Sequence, residues 1–246
     1  GGKASCQTGQ TDYIEEESII SESYIMIVIC LEGCHGCGKS TLTSLFEMAG
    51  YTTLDEAFLD MPKVDCMSPQ TMLMESIWIG NWFSRLLKLS EKTSDCDAVY
   101  VADRSPFSAV CYAGAKGHLL DPVIRAQMEE VRAAANIEIY SVHLQVEDET
   151  LWSRIQARLE KEPGRTQLRE DKRSHMDAIH GWYKSFEWDF VVDNTSEEGG
   201  ERVINEILEN IRGRSKRFRA LSGDGSIGPN PSMGSPTSVT TKWSIE

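Results

Sequence analysis

Apolar positions run along this chain in two rhythms. Five short, nearly continuous apolar runs stand out: residues 24–31, Tyr51–Leu54, Ala98–Ala102, Ile137–Val146 and Phe190–Asp193. Such runs predict strands buried on both faces. The stretches between them follow a helical rhythm. Leu42, Leu45, Phe46 and Ala49 share one face of a helix over 39–49. Ser68-Pro69 pairs an N-cap with proline at the first helical position, and opens a long helix to about Leu89. Asp121-Pro122 opens another, to about Ala135. Helical patterning returns over Asp148–Glu160, Leu168–Phe186 and Glu201–Arg212. Parallel strands need crossover connections, so this alternation predicts an α/β domain: a five-stranded parallel sheet with helices on both faces.

The two ends lack either rhythm. Residues 1–22 are polar and carry Asp12, Glu15, Glu16, Glu17 and Glu22; they read as a disordered acidic arm. Residues 213–246 are rich in Gly, Ser, Pro and Thr, with Trp243 and Ile245 as isolated apolar residues. Such a segment cannot bury enough surface to offset its chain entropy, and reads as a disordered tail. The basic cluster Arg212, Arg214, Lys216, Arg217 and Arg219 at the junction reads as a solvated helix end. The remaining residues, 23–212, are enough for one domain.

Composition narrows the function classes. The chain has 246 residues with 25 Lys plus Arg against 38 Asp plus Glu, a net charge of −13. Gripping a nucleic-acid backbone needs the opposite balance, so no nucleic-acid partner is expected. A small phosphorylated ligand needs only a few placed cations. The longest apolar run, 24–31, is far short of the roughly 20 residues that cross a membrane, so no membrane partner is expected either. Seven cysteines, an odd number at irregular spacing, read as free thiols in a reducing compartment. The expected location is cytoplasmic, with an organelle left open because the chain starts Gly-Gly without Met. The five histidines form no metal-binding spacing.

One motif carries specific chemistry. Gly33-Cys34-His35-Gly36-Cys37-Gly38-Lys39-Ser40-Thr41 fits G-x-x-x-x-G-K-[ST] and lies after a buried strand and before a helix. The glycines let the backbone wrap a phosphate chain, and the helix N-terminus favours anions. All nine residues are therefore candidate ATP-binding positions. Lys39 would reach the β- and γ-phosphates, and Ser40 would hold Mg²⁺. The fold expected is the three-layer sandwich of P-loop NTPases. Cys34 and Cys37 read as small residues at tolerant loop positions, with a redox switch as the alternative. A GTPase would need Asp-x-x-Gly on the third strand and Asn-Lys-x-Asp; neither is present. Instead the third strand ends in Asp103, placed to bind Mg²⁺, followed by Arg104, a forked cation for the transferring phosphoryl.

The combination of Leu31-Glu32-Gly33, Gly38-Lys39-Ser40-Thr41, Asp103-Arg104-Ser105 and a late Arg-rich segment resembles the deoxynucleoside kinase and thymidylate kinase group. The Asp-Arg-Ser segment, running on to Ala113, is more like the Glu-Arg-Ser of deoxynucleoside kinases. The Glu-Gly opening of the phosphate loop leans towards thymidylate kinases. The resemblance implies that Glu56, after the second strand, takes the proton of a sugar 5′-hydroxyl, with Asp55 as the near alternative. The expected Pro after it is replaced by Ala57. A neutral hydroxyl must lose its proton as it attacks, whereas a phosphate acceptor needs no base but extra arginine.

The resemblance also implies a lid around 154–169. Arg154 would assist ATP binding, Arg158 and Arg165 would stabilise the transferring phosphoryl, and Pro163-Gly164 would form the tip. For the acceptor it implies aromatics that sandwich a base and an amide that reads its edge. Trp78, Asn81, Trp82 and Arg85 on the long helix are the candidates, with Tyr112 closing the other side. The expected function is therefore ATP- and Mg²⁺-dependent phosphoryl transfer to the 5′-hydroxyl of a (deoxy)nucleoside. A thymidylate-kinase-like nucleoside monophosphate kinase and a non-enzymatic nucleotide-binding regulator are the alternatives. The partner expected is a small nucleoside or nucleotide, and a homodimer is left open.

Overall fold

The computed structural model describes residues 26–222, except 57–60, 63, 69, 93–97, 197 and 198. The arm expected over 1–22 and the tail beyond 222 lie outside the described residues.

All five apolar runs form strands. They are β1 (Met26–Glu32), β2 (Thr52–Leu54), β3 (Ala98–Asp103), β4 (Ile137–Gln145) and β5 (Phe190–Asp193). They make one sheet in the order β2-β3-β1-β4-β5, and every pairing is parallel. The central strand β1 is buried at all seven positions, which is why its sequence is apolar without alternation. Its register with β3 sets Leu31 beside Asp103, so the phosphate loop and the Asp-Arg segment leave the sheet side by side. In open α/β sheets ligands bind outside the carboxyl ends of the strands, and here those ends carry the candidate residues.

The helices that position the site are α1 (Lys39–Met48), α2 (Met72–Lys92), α3 (Ser108–Tyr112), α4 (Asp121–Ala135), α5 (Asp148–Lys161), α6 (Arg173–Ser185), α7 (Gly200–Arg214) and α8 (Lys216–Ser222). With the sheet they form the expected three-layer α/β sandwich, and Leu42, Phe46, Ile124, Ile155, Tyr183 and Ile207 pack into one core with β1 and β4. No described helix is long and apolar enough to cross a membrane.

Three boundaries differ from expectation. The long helix starts at Met72, not at Ser68. The Thr71 hydroxyl accepts from Met74 N at 3.4 Å, so a second residue with capping chemistry takes the role. The helix expected from 168 begins at Arg173. Residues 163–168 close into a 3₁₀ turn, and Arg169 then turns left-handed (φ 62°), which interrupts any helix. The tail expected from 213 is helical as far as Ser222. Phe218 of α8 is buried, and the Ser215 hydroxyl donates to Glu138 at 2.6 Å and accepts from Phe218 N at 2.9 Å. One aromatic and one helix cap thus anchor a stretch whose composition alone reads as disordered.

Candidate functional site

The phosphate loop turns from β1 into α1 around Gly38, whose φ is 99°. A Cβ there would lie 2.6 Å from Asn194 Nδ2, so the position needs glycine for its torsion and for the close approach. Asn194 uses that approach to donate to Cys37 O at 2.8 Å, tying the loop after β5 to the cradle. Lys39 is buried and folds back over the loop, donating to Gly33 O at 2.8 Å and Cys34 O at 3.3 Å. Its ammonium therefore sits inside the ring of backbone N–H groups that an anion would occupy. Cys34 and Cys37 are both buried. Burial, helped by Cys37, pushes the Cys34 thiol up to about 12, which keeps it protonated and unreactive and disfavours the redox reading.

Beside the cradle, Ser40 Oγ donates to Asp103 Oδ2 at 3.5 Å, and Asp103 Oδ1 is buried without a hydrogen-bond partner. A hydroxyl and a carboxylate with a free buried oxygen are the hard donors that suit Mg²⁺. The next residue, Arg104, holds φ at 77°, a strained conformation for a side chain that large. Its backbone N donates to Leu31 O at 3.0 Å, and its buried guanidinium makes a 2.7 Å ion pair with Glu56. Arg104 Nη1 also donates to Tyr183 OH at 3.0 Å, and the Tyr112 ring lies 5.3 Å from the cation. The structure thus brings Ser40, Asp103, Arg104, Glu56 and Tyr112 together.

What holds Arg104 in place is a residue to which the sequence assigns no role of its own. Glu32, the last residue of β1, is fully buried. Its carboxylate accepts from Ser105 N and Ser105 Oγ at 2.7 Å each, from Ser108 Oγ at 2.8 Å and from Tyr183 OH at 3.1 Å. Burial pushes its carboxyl above the usual range, against the pull of Arg104 and these donors. Glu75, in the first turn of α2, was also missed. It feels Arg104 and Glu56, and burial pushes it up to about 8. A signal existed only for Glu32, as an acidic residue ending an otherwise apolar strand.

The remaining candidates scatter more. Arg154 lies on the regular helix α5 and donates to Asn194 O at 2.9 Å and Thr195 O at 2.8 Å. It braces the loop that braces the cradle, and its guanidinium is committed to backbone carbonyls in place of the expected ATP contact. Arg158 and Arg165 meet on one carboxylate, Glu162, and Arg165 also pairs with the buried Glu170 at 2.8 Å. The lid segment over 154–169 is therefore mostly helix α5, with the 3₁₀ turn at its end. Trp78 and Trp82 are 5% and 7% exposed and belong to the hydrophobic core, so packing claims the faces expected to stack on a base. Asn81 beside them is half-buried, and Arg85 pairs with Asp55. His35, in the cradle, stacks on His175 of α6 at 5.8 Å. Burial and His175 lower it to about 3, so it stays neutral.

A family model described as an AAA domain matches residues 28–202. The chain belongs to the AAA domain family. The match runs from β1 into the first turn of α7, and so spans the cradle, the Asp103-Arg104 segment and the loop after β5. Membership makes this AAA domain a nucleotide-binding P-loop protein, with a nucleotide and Mg²⁺ as the implied ligands. The residues fit both: Lys39 and the loop amides suit phosphates, and Ser40 with Asp103 suits the metal. No curated protein matches the chain.

Proposed function

We propose that this AAA domain is a kinase that transfers the γ-phosphoryl of ATP to the 5′-hydroxyl of a (deoxy)nucleoside. The ion pair between Glu56 and Arg104 carries the reading. It joins a carboxylate from the tip of β2 to the arginine that directly follows the metal-binding Asp103. A hydroxyl nucleophile needs such a carboxylate within hydrogen-bond reach as it loses its proton. The residue after Asp103 is an arginine, so a base for the acceptor comes from a different strand. Arg104, held by Tyr183 and Glu56, presents a fixed cation where charge moves during transfer.

Lys39 and the loop amides hold the phosphate chain, and Ser40 with Asp103 would hold the metal, which neutralises phosphate charge when bound. Catalysis of this kind is positioning plus electrostatics, and Glu32 supplies much of the positioning. Arg158 and Arg165 are the candidates to supply further positive charge from the α5 end. Both have carboxylate partners on the same segment and would have to exchange them.

The test is turnover of MgATP against a panel of nucleosides and their monophosphates. A nucleoside is expected to be phosphorylated. Glu56→Gln is expected to lower kcat by about 10²–10⁴ while leaving MgATP binding intact. Turnover only with monophosphates would replace this reading with a nucleoside monophosphate kinase. No turnover with any acceptor would leave a nucleotide-binding regulator.

A further inference from the structure

Helix α2 brings a second carboxylate to the acceptor end. Glu75 stands in its first turn, one turn before Trp78, half-buried. The charges that act on it are Arg104 from the end of β3 and Glu56 from beyond β2. Its own charge acts on Cys111 of α3, next to Tyr112, whose ring faces Arg104. Four elements therefore converge on one small volume through Glu56, Glu75, Arg104 and the Cys111-Tyr112 pair. Arg104 is already matched by Glu56 at 2.7 Å, and Arg85, further along α2, by Asp55. Among the described residues, the Glu75 carboxyl has no hydrogen-bond partner, so its hydrogen-bonding capacity is available to a ligand.

We propose that Glu75 is a specificity-determining residue of the acceptor site: it hydrogen-bonds an uncharged polar group of the acceptor and, with Glu56, closes this end to phosphorylated acceptors. The inference rests on the kinase reading above. A carboxyl kept protonated by burial both donates and accepts, so it can pair with a hydroxyl or an amide. Burial does push Glu75 up to about 8, with Glu56 acting in the same sense and Arg104 against it. A phosphorylated acceptor brings two negative charges to a place whose arginine is already paired with Glu56. Such an acceptor would face like-charge repulsion without an unmatched cation to offset it.

The experiment compares wild type with Glu75→Ala, Glu75→Gln and Glu75→Lys, using a nucleoside and its monophosphate as acceptors at pH 7. MgATP affinity, measured calorimetrically, checks that each variant is folded. Glu75→Ala is expected to raise KM for the nucleoside roughly tenfold, about 1.4 kcal/mol, with a smaller effect on kcat. Glu75→Gln, a neutral group that still donates and accepts, is expected to recover most of that loss. Glu75→Lys is expected to cut the preference for nucleoside over monophosphate at least tenfold. If MgATP binds normally but Glu75→Ala leaves KM unchanged, or Glu75→Gln is as impaired as Glu75→Ala, the inference is overturned and the kinase reading survives. If wild type turns over no acceptor, both fall. If Glu75→Ala loses MgATP binding, Glu75→Lys decides alone: an unaltered preference overturns the inference.

Discussion

At the scale of single residues, the most informative group is Glu32. It ends the most buried strand of the sheet and gathers four hydrogen bonds from three residues, one of them 151 positions away. Satisfied in this way, a buried carboxylate orders everything it touches; removed, it strands several donors. Glu32→Ala is expected to cost about 3 kcal/mol, or roughly 6–12 °C in Tm, read by thermal unfolding followed by circular dichroism. An unchanged Tm would mean that Ser105, Ser108 and Tyr183 find other partners easily. Glu32 was legible in the sequence only as part of a resemblance. Tyr183 was not legible at all, because nothing local in α6 separates a buried tyrosine that holds an active loop from one that fills core.

At the scale of elements, strand and helix identities follow from local periodicity, so they were readable. β4, β5 and α4 start where their patterns start. Elements whose existence depends on packing were not readable. α3 has five residues, too few for a period to show, yet it carries Ser108 and Tyr112. The 3₁₀ turn after it (Gly114–Leu119) presses Gly117 against α3 so closely that a Cβ would lie 1.9 Å from Val110 O. Backbone cannot yield as a side-chain tip can. Gly117→Ala is expected to destabilise by about 2–3 kcal/mol and to raise KM for the acceptor by displacing Tyr112. Unfolding and steady-state kinetics on the same variant check the two effects, and a normal Tm would show that the turn can move away. In α2 the helical spacing of Trp78 and Trp82 was legible, but the same spacing serves core and ligand alike. Their burial assigns both side chains to the core.

At the scale of the molecule, two kinds of buried titratable group pull stability in opposite directions with pH. Burial lowers His143, on β4 between Tyr183 and Trp188, to about 4, and His35 to about 3. A depressed histidine leaves the unfolded chain binding more protons between the two pKa values. Stability from these groups is therefore complete above about 6.5 and is lost as pH falls towards 4. Glu75, raised to about 8, does the reverse: its contribution is complete below about 4.5 and is lost as pH rises through 8. Tm is therefore expected to peak between these windows. His143→Phe keeps a ring against Tyr183 and Trp188 but removes the proton, and is expected to flatten the fall in Tm between pH 6.5 and 4. A fall as steep as that of wild type would assign the acid sensitivity to other groups.

The sequence by itself determined what is local: five apolar runs, the alternation that makes the sheet parallel, and a nine-residue loop that contains every group of its phosphate cradle. Periodicity and loop chemistry are properties of neighbours in the chain, so they survive without coordinates. Only the tertiary structure decided which charges meet. It joined Glu56 to Arg104, set Glu75 beside both, and committed Arg154 to the carbonyls of the loop after β5. It also carried helix past residue 212 by burying Phe218. These pairings span dozens of residues, and their energies depend on burial and distance. Both quantities exist only once the sheet has brought its strand ends to one edge.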